Sequence, residues 1–441
     1  MTVDLRSFFR ACNPSKTLNY QNEQDRQLYI DFAQVRGAEV VGQLERVISW
    51  SEENTCQLFT GHIGCGKSTE LLCLKAKLES LGFHVVYFES SQMLEMGDVE
   101  VSDILLAIAH QVSQSLKDAQ ISLTGRYFQN LFNECRQFLK TSIDLKAQAE
   151  FSLWGMGTLS LEAQQNPTLR SQLRQFLEPQ VQALIKGINQ EMIQPATQAL
   201  HKKSKPGLVI IVDNLDRIDG RQLDSGQTLP EYIFINRGEK LRQLACHVVY
   251  TIPLALRFAN DAQTMQQRLG EITVLPMVPV RRRDGSVYEA GLVKLRELIL
   301  SRGRLAETTQ TGQPSDDAIL ITQLFDHPDT LDALCFMSGG HVRNLLRLMQ
   351  STLRKSDRLP VQWANVERSV QEEKAALMLS ITPDEWNLLR KVKRTQAVTG
   401  DVEQNLLLRN LWAFEYRHQG DQWFEVNPLL AGVEQLQGGE G

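Results

Sequence analysis

The chain has no apolar run approaching the ~20 residues that a membrane-crossing helix needs. Its clearest apolar block, Leu208-Val209-Ile210-Ile211-Val212, is strand-sized. Nor does it carry a surplus of positive charge. The formal net charge is -5, which excludes a global basic footprint for nucleic acid. No C-x-x-C pair occurs. The seven cysteines, at 12, 56, 65, 73, 135, 246 and 335, are odd in number and scattered. That points to free thiols in a reducing compartment and away from a disulfide frame or a zinc site. The first residues, Met1-Thr2-Val3-Asp4-Leu5-Arg6, lack the apolar core of a signal peptide. These absences give the expectation of a cytoplasmic protein with no membrane contact. The remaining composition, 42% hydrophobic and 22% charged over 441 residues, suits a globular chain of two or three domains.

What is present is concentrated in one stretch. Gly61-His62-Ile63-Gly64-Cys65-Gly66-Lys67-Ser68 fits G-x-x-x-x-G-K-[ST], the pattern of a phosphate-binding loop. Its flanks fit as well, because residues 56–60 read as a short buried strand and 68–81 as a helix. Glycines let the backbone wrap a phosphate with its N–H groups inward, and the following helix presents its positive end to the same anion. Lys67 would neutralise the β- and γ-phosphates, Ser68 would bind Mg²⁺, and Thr69 extends the loop into the helix. The expected ligand is ATP with Mg²⁺. Cys65 reads as a small side chain that fits the loop; redox control of nucleotide binding is the sharper alternative.

Strands and helices alternate through the rest of the first 275 residues. Residues 84–88, 208–212, 247–251 and 272–275 read as further strands, and 37–50 and 98–116 as amphipathic helices. The fold class expected is α/β, a P-loop parallel five-stranded sheet with helices on both faces. Two βαβ units use about 60 residues, so the late third strand implies an insert of ~80 residues at about 120–205. That insert reads as a hairpin over 143–161, then a helical stretch to about Leu200 broken at Pro179 and Pro195. It is either a partner-binding arm or a cover for a sheet edge. The domains expected are a linker and helix over 1–50, the core over 51–285, a helical lid over 286–358, a winged-helix-like domain over 359–432 and a disordered tail over 433–441.

The third strand ends in Asp213, where a carboxylate would stand beside the Mg²⁺ shell. Asn214 follows it and cannot accept a proton from attacking water. Asp216 is therefore the candidate general base or water orienter. Glu89, ending the second strand, is the fallback acid.

Residues 61–68, the strand pattern and Asp213-Asn214-Leu215-Asp216-Arg217 resemble the P-loop ATPases of the AAA+/STAND assemblage. The D-x-L-D-R form is KAP-like, and the lid and winged helix resemble those of origin-recognition and STAND proteins. The resemblance covers nearly the whole chain outside the insert. It implies a γ-phosphate-sensing Arg343 within Ser338-Gly339-Gly340-His341-Val342-Arg343, a polar sensor at Thr251, and Arg36 at an adenine-side linker. It also implies a finger at Arg268 for a neighbour's nucleotide, hence a nucleotide-dependent homo-oligomer. In that assemblage a glutamate usually follows the strand aspartate; Asn214 stands there, so the residues argue for binding more strongly than for turnover.

Two basic runs, Arg281-Arg282-Arg283 and Arg390-Lys391-Val392-Lys393-Arg394, could meet phosphates. The helix expected over 401–411 sets Asp401 and Glu403 against Arg409, which is poor for reading a groove. The sequence thus points to a slow Mg-dependent ATPase or nucleotide-driven switch that regulates or assembles a protein partner. The alternatives are a DNA-associated loader or regulator and a non-hydrolysing nucleotide-binding scaffold.

Overall fold

The computed structural model describes residues 2–121, 126–139, 162–308, 316–399 and 402–437. It divides into two compact units, one of Met1–Val40, Gly61–Glu70 and Val274–Gly441, the other of Val41–Thr60 and Leu71–Thr273.

The second of these units holds most of a five-stranded sheet. Its strands are β1 (Cys56–Gly61), β2 (His84–Glu89), β3 (Leu208–Asp213), β4 (His247–Thr251) and β5 (Ile272–Leu275), in the spatial order β2-β3-β4-β1-β5. The ladders β2–β3, β3–β4 and β4–β1 are parallel. All of β3 is buried, which its unbroken apolar run predicts for a strand covered on both faces. Thr60 Oγ1 donates to Ile252 O at 2.7 Å and ties the end of β1 to the end of β4. Parallel strands place their carboxyl ends at one edge, where ligands of open α/β sheets bind.

The expected helix over 98–116 is Val101–Asp118, packed on β2 and β3. The insert between β2 and β3 shares its core. Leu131, Leu169, Leu173, Leu184 and Ile188 bury into one apolar cluster with Ile104, Leu105 and Ile108. Arg174 adds ion pairs to Asp98 at 2.7 Å and Asp103 at 2.6 Å. Among the described residues the insert is therefore a cover for the core, not a free arm. Pro179 falls in a 3₁₀ turn, Glu178–Gln180, that interrupts the helices as expected. Pro195 does not break them. A π-helical stretch, Ile188–Ile193, precedes it and the helix continues as Gln194–Lys202; a widened turn accommodates the missing N–H. The expected hairpin over 143–161 lies outside the described residues.

The other unit is largely helical. Glu289–Leu305, Asp317–Leu324, Pro328–Ser338 and Val342–Arg354 form the expected lid helices. The segment expected as a linker does more than connect. Its helix Leu5–Ala11 sends Phe8 into the lid's apolar core beside Leu292, Leu334, Leu345 and Met349, with Cys12 next to it. Thr2–Val3 pairs antiparallel with Glu307–Thr308. Further on come helices Pro383–Thr395 and Val402–Arg409 and the antiparallel hairpin β6 (Ala413–His418) and β7 (Asp421–Val426), a winged-helix-like order. Trp412, Trp423 and Phe424 are buried in it. The tail expected to be disordered over 433–441 is ordered where it is described, since the turn Glu434–Leu436 buries Leu436; residues 438–441 lie outside the described residues. No helix among the described residues is long and apolar enough to cross a membrane.

Candidate phosphate-loop site

The loop leaves β1 and closes on the helix Lys67–Ser80. Gly64 and Gly66 take φ of +89° and +111°, which side-chain-bearing residues rarely adopt. Space demands glycine at the first of them as well: a Cβ on Gly64 would stand 2.7 Å from His341 Cε1 and 3.0 Å from Arg343 Cβ. Lys67 is buried, and its ammonium donates to Gly61 O at 2.8 Å and His62 O at 2.9 Å. Ser68 and Thr69 are half-buried in the first turn of the helix. Cys65 is buried and its thiol faces Leu275 O at 4.0 Å, so it fits the loop as a small side chain.

Three successive loop carbonyls are held from outside. His341 Nε2 donates to Ile63 O at 2.8 Å. The Arg343 amide donates to Gly64 O at 3.3 Å. Arg36 Nη2 donates to Cys65 O at 2.7 Å. In a planar trans peptide the N–H points opposite to the C=O. Holding the Ile63 and Cys65 carbonyls outward therefore turns the Gly64 and Gly66 N–H groups the other way, as an anion-binding nest requires. Arg36 thus engages the outer side of the loop.

Two buried histidines complete this surround, and both are neutral. The Ile63 carbonyl can only accept, so His341 Nε2 carries the proton, while its Nδ1 accepts from the Asn344 amide and caps the helix Val342–Arg354. His62 Nε2 accepts from the Glu415 amide at 2.8 Å. Burial pulls the pKa of each down to about 3, helped by Lys67 beside His62 and by His62 and Arg343 beside His341. Phe414 of β6 bridges them, edge-on to His62 and stacked on His341 with both centroids at 5.8 Å. The phosphate loop is in this way bonded both to the lid helix and to the hairpin. The sequence places His62 inside the loop motif and His341 two residues before Arg343, but it marks neither imidazole as a link from the loop to another element.

At the sheet's carboxyl edge, Asp213 is buried and accepts from Tyr87 Oη at 2.8 Å and from the Asn214 amide at 2.7 Å. Glu89 stands opposite it in the β2–β3 register. Asn214 has φ +66°, a left-handed conformation that Asn tolerates and glutamate does not favour. Asp216 is buried in the turn Leu215–Arg217. Thr251 is buried, and its hydroxyl accepts from the Leu215 amide at 2.9 Å and reaches Val212 O at 3.4 Å. It fixes the turn that carries Asp216. Arg268 is exposed in the last turn of Ala262–Leu269.

No group of three or more metal-ligating side chains occurs among the described residues. The carboxylate of Asp213 and the hydroxyl of Ser68 are hard oxygen donors of the kind that hold Mg²⁺ when phosphates supply the other ligands.

A glycine loop between strand β1 and a helix, in a sheet of order β2-β3-β4-β1-β5, decides the architecture. The chain has the α/β P-loop fold. No sequence profile of a protein family and no curated protein sequence matches it. Among solved structures it is similar to the Aeropyrum pernix ORC1 protein in complex with DNA, at 14% identity over 96% of each chain with a TM-score of 0.39. It is similar to Cdc6p from Pyrobaculum aerophilum, at 12% identity over 99% of this chain and 98% of that one, TM-score 0.37. It is also similar to the Aeropyrum pernix ORC2 protein in ADPNP–ADP complexes, at 11% identity over 90% and 91%, TM-score 0.40. Likenesses of this size carry no argument about chemistry, which rests on the P-loop residues themselves.

Proposed function

We propose that this P-loop protein binds ATP with Mg²⁺ and acts as a slow ATPase or nucleotide-driven switch that regulates or assembles a protein partner. The observation that carries this is the bonding of the loop carbonyls and His62 to the lid helix and the hairpin. A triphosphate that reshapes the loop must move those bonds, and with them the elements that a partner would read. In this reading Lys67 and Arg343 meet phosphate charge, the loop amides cradle it, Ser68 and Asp213 hold the metal and Asp216 orients water. Magnesium, brought in with the nucleotide, would neutralise charge between the β- and γ-phosphates. Arg268, exposed on its helix, is the residue that a nucleotide-dependent oligomer would use. Phosphate release tests turnover: Asp216→Asn is expected to fall about 10²-fold or more below wild type. Equal rates at background would favour the non-hydrolysing scaffold.

A specific contact favours a second reading, that of a DNA-associated loader or regulator. Gln396 Nε2 donates to Arg283 O at 2.9 Å, which joins the two basic runs into one surface. Arg281, Arg282, Arg283, Lys391, Lys393 and Arg394 are all exposed there. With Arg390, Lys391, Lys393 and Arg394 changed to Glu, this reading expects duplex affinity to fall and its salt slope to flatten. Unchanged binding refutes it.

A further inference from the structure

The inference concerns Arg36 and Glu70 and rests on the nucleotide-binding reading above. We propose that Arg36 is a positioning residue that sets the Cys65–Gly66 peptide for phosphate and neutralises a buried carboxylate, Glu70, at the foot of the loop. Arg36 ends the short helix Ala33–Arg36 and is 2% exposed. Its guanidinium lies over the Phe32 ring at 5.1 Å. One arm of its fork, Nη2, donates to Cys65 O at 2.7 Å; the other, Nη1, meets Glu70 Oε1 at 3.4 Å. Tyr29 Oη donates to the second oxygen, Glu70 Oε2, at 3.0 Å.

Each contact has a consequence for an anion at the loop. The Cys65 carbonyl, fixed outward, leaves the Gly66 N–H on the opposite side of the same rigid plane. Gly66 supplies the φ of +111° that this orientation needs. Glu70 is buried in the first turn of the helix Lys67–Ser80, three residues past Lys67. A carboxylate there competes with phosphate for the helix's positive end and repels it. A guanidinium held against it offsets that repulsion, and its planar fork serves the carbonyl and the carboxylate together.

The test is equilibrium binding of ATP, ADP and AMP to the full chain, with thermal unfolding of every variant. Arg36→Ala is expected to weaken ATP by about 10- to 100-fold, ADP less and AMP least, because the Glu70 charge is then no longer offset by the guanidinium and acts on phosphates. The double variant Arg36→Ala/Glu70→Gln is expected to regain about 10-fold for ATP, since the repelling charge is gone. Arg36→Lys, which keeps the charge and loses the fork, is expected to fall between Arg36→Ala and wild type and carries the test if Arg36→Ala does not fold. Equal losses for ATP and AMP, or no recovery in the double variant, would overturn the inference. Wild type that binds while Arg36→Ala binds equally well overturns it alone; wild type that binds none of the three overturns the nucleotide reading with it.

Discussion

Lys67→Ala is expected to weaken ATP binding by about 10²-fold or more, read by direct titration. The side chain is buried and its ammonium is already positioned by the Gly61 and His62 carbonyls, at 2.8 and 2.9 Å. A cation fixed in that way needs no reorganisation when a triphosphate arrives, and in a poorly solvated site its attraction is not diluted by water. No neighbouring group in the loop can take its place, because His62, with its pKa pulled to about 3 by burial, stays neutral. The helix Lys67–Ser80 keeps its start, since alanine is the best helix former, and melting run beside the titration separates lost affinity from lost stability. An unchanged ATP affinity would contradict the assignment of the loop.

The second large effect is expected at His341. His341→Ala removes the cap on the Asn344 amide, the donor to Ile63 O and the stack on Phe414. Loss of an N-cap alone costs about 1 kcal/mol. The outward pull on the Ile63 carbonyl is lost with it, so ATP affinity is expected to fall by about 10-fold, in line with one charge-free hydrogen bond of ~1.4 kcal/mol. His341→Asn separates the two roles. Asparagine caps a helix as well as any residue but is too short to reach the loop, so stability is expected to return and ATP affinity is not. Full recovery of both would mean that the bond to Ile63 does nothing for the loop.

The loop and the sheet were legible because their signals are local. A glycine pattern between a strand and a helix, and buried apolar runs such as Leu208-Val209-Ile210-Ile211-Val212, declare themselves within a few residues. The donors that shape the loop were not legible in the same way. Arg36 and His341 reach Cys65 and Ile63 from 29 and 278 positions away, and nothing in the intervening chain marks the contact. Glu70 sits beside the motif, yet a glutamate in a first helical turn is ordinary until its burial is seen. Asn214 is a further case. The sequence marks its side chain, but the left-handed backbone it adopts directly after β3 is visible only in the structure. Pro195 signals a break in the sequence because a proline removes an N–H, but a π-helical stretch just before it absorbs the defect.

The central claim is that nucleotide at the loop is felt in the lid and the hairpin through His62 and His341. Hydrogen exchange on the full chain, with and without a non-hydrolysable ATP analogue and Mg²⁺, tests it most directly. The account predicts slower exchange across residues 61–69, together with changed exchange at the amides of Arg343 and Glu415, which donate to Gly64 O and His62 Nε2. Protection confined to the loop, with Arg343 and Glu415 unmoved, would contradict it.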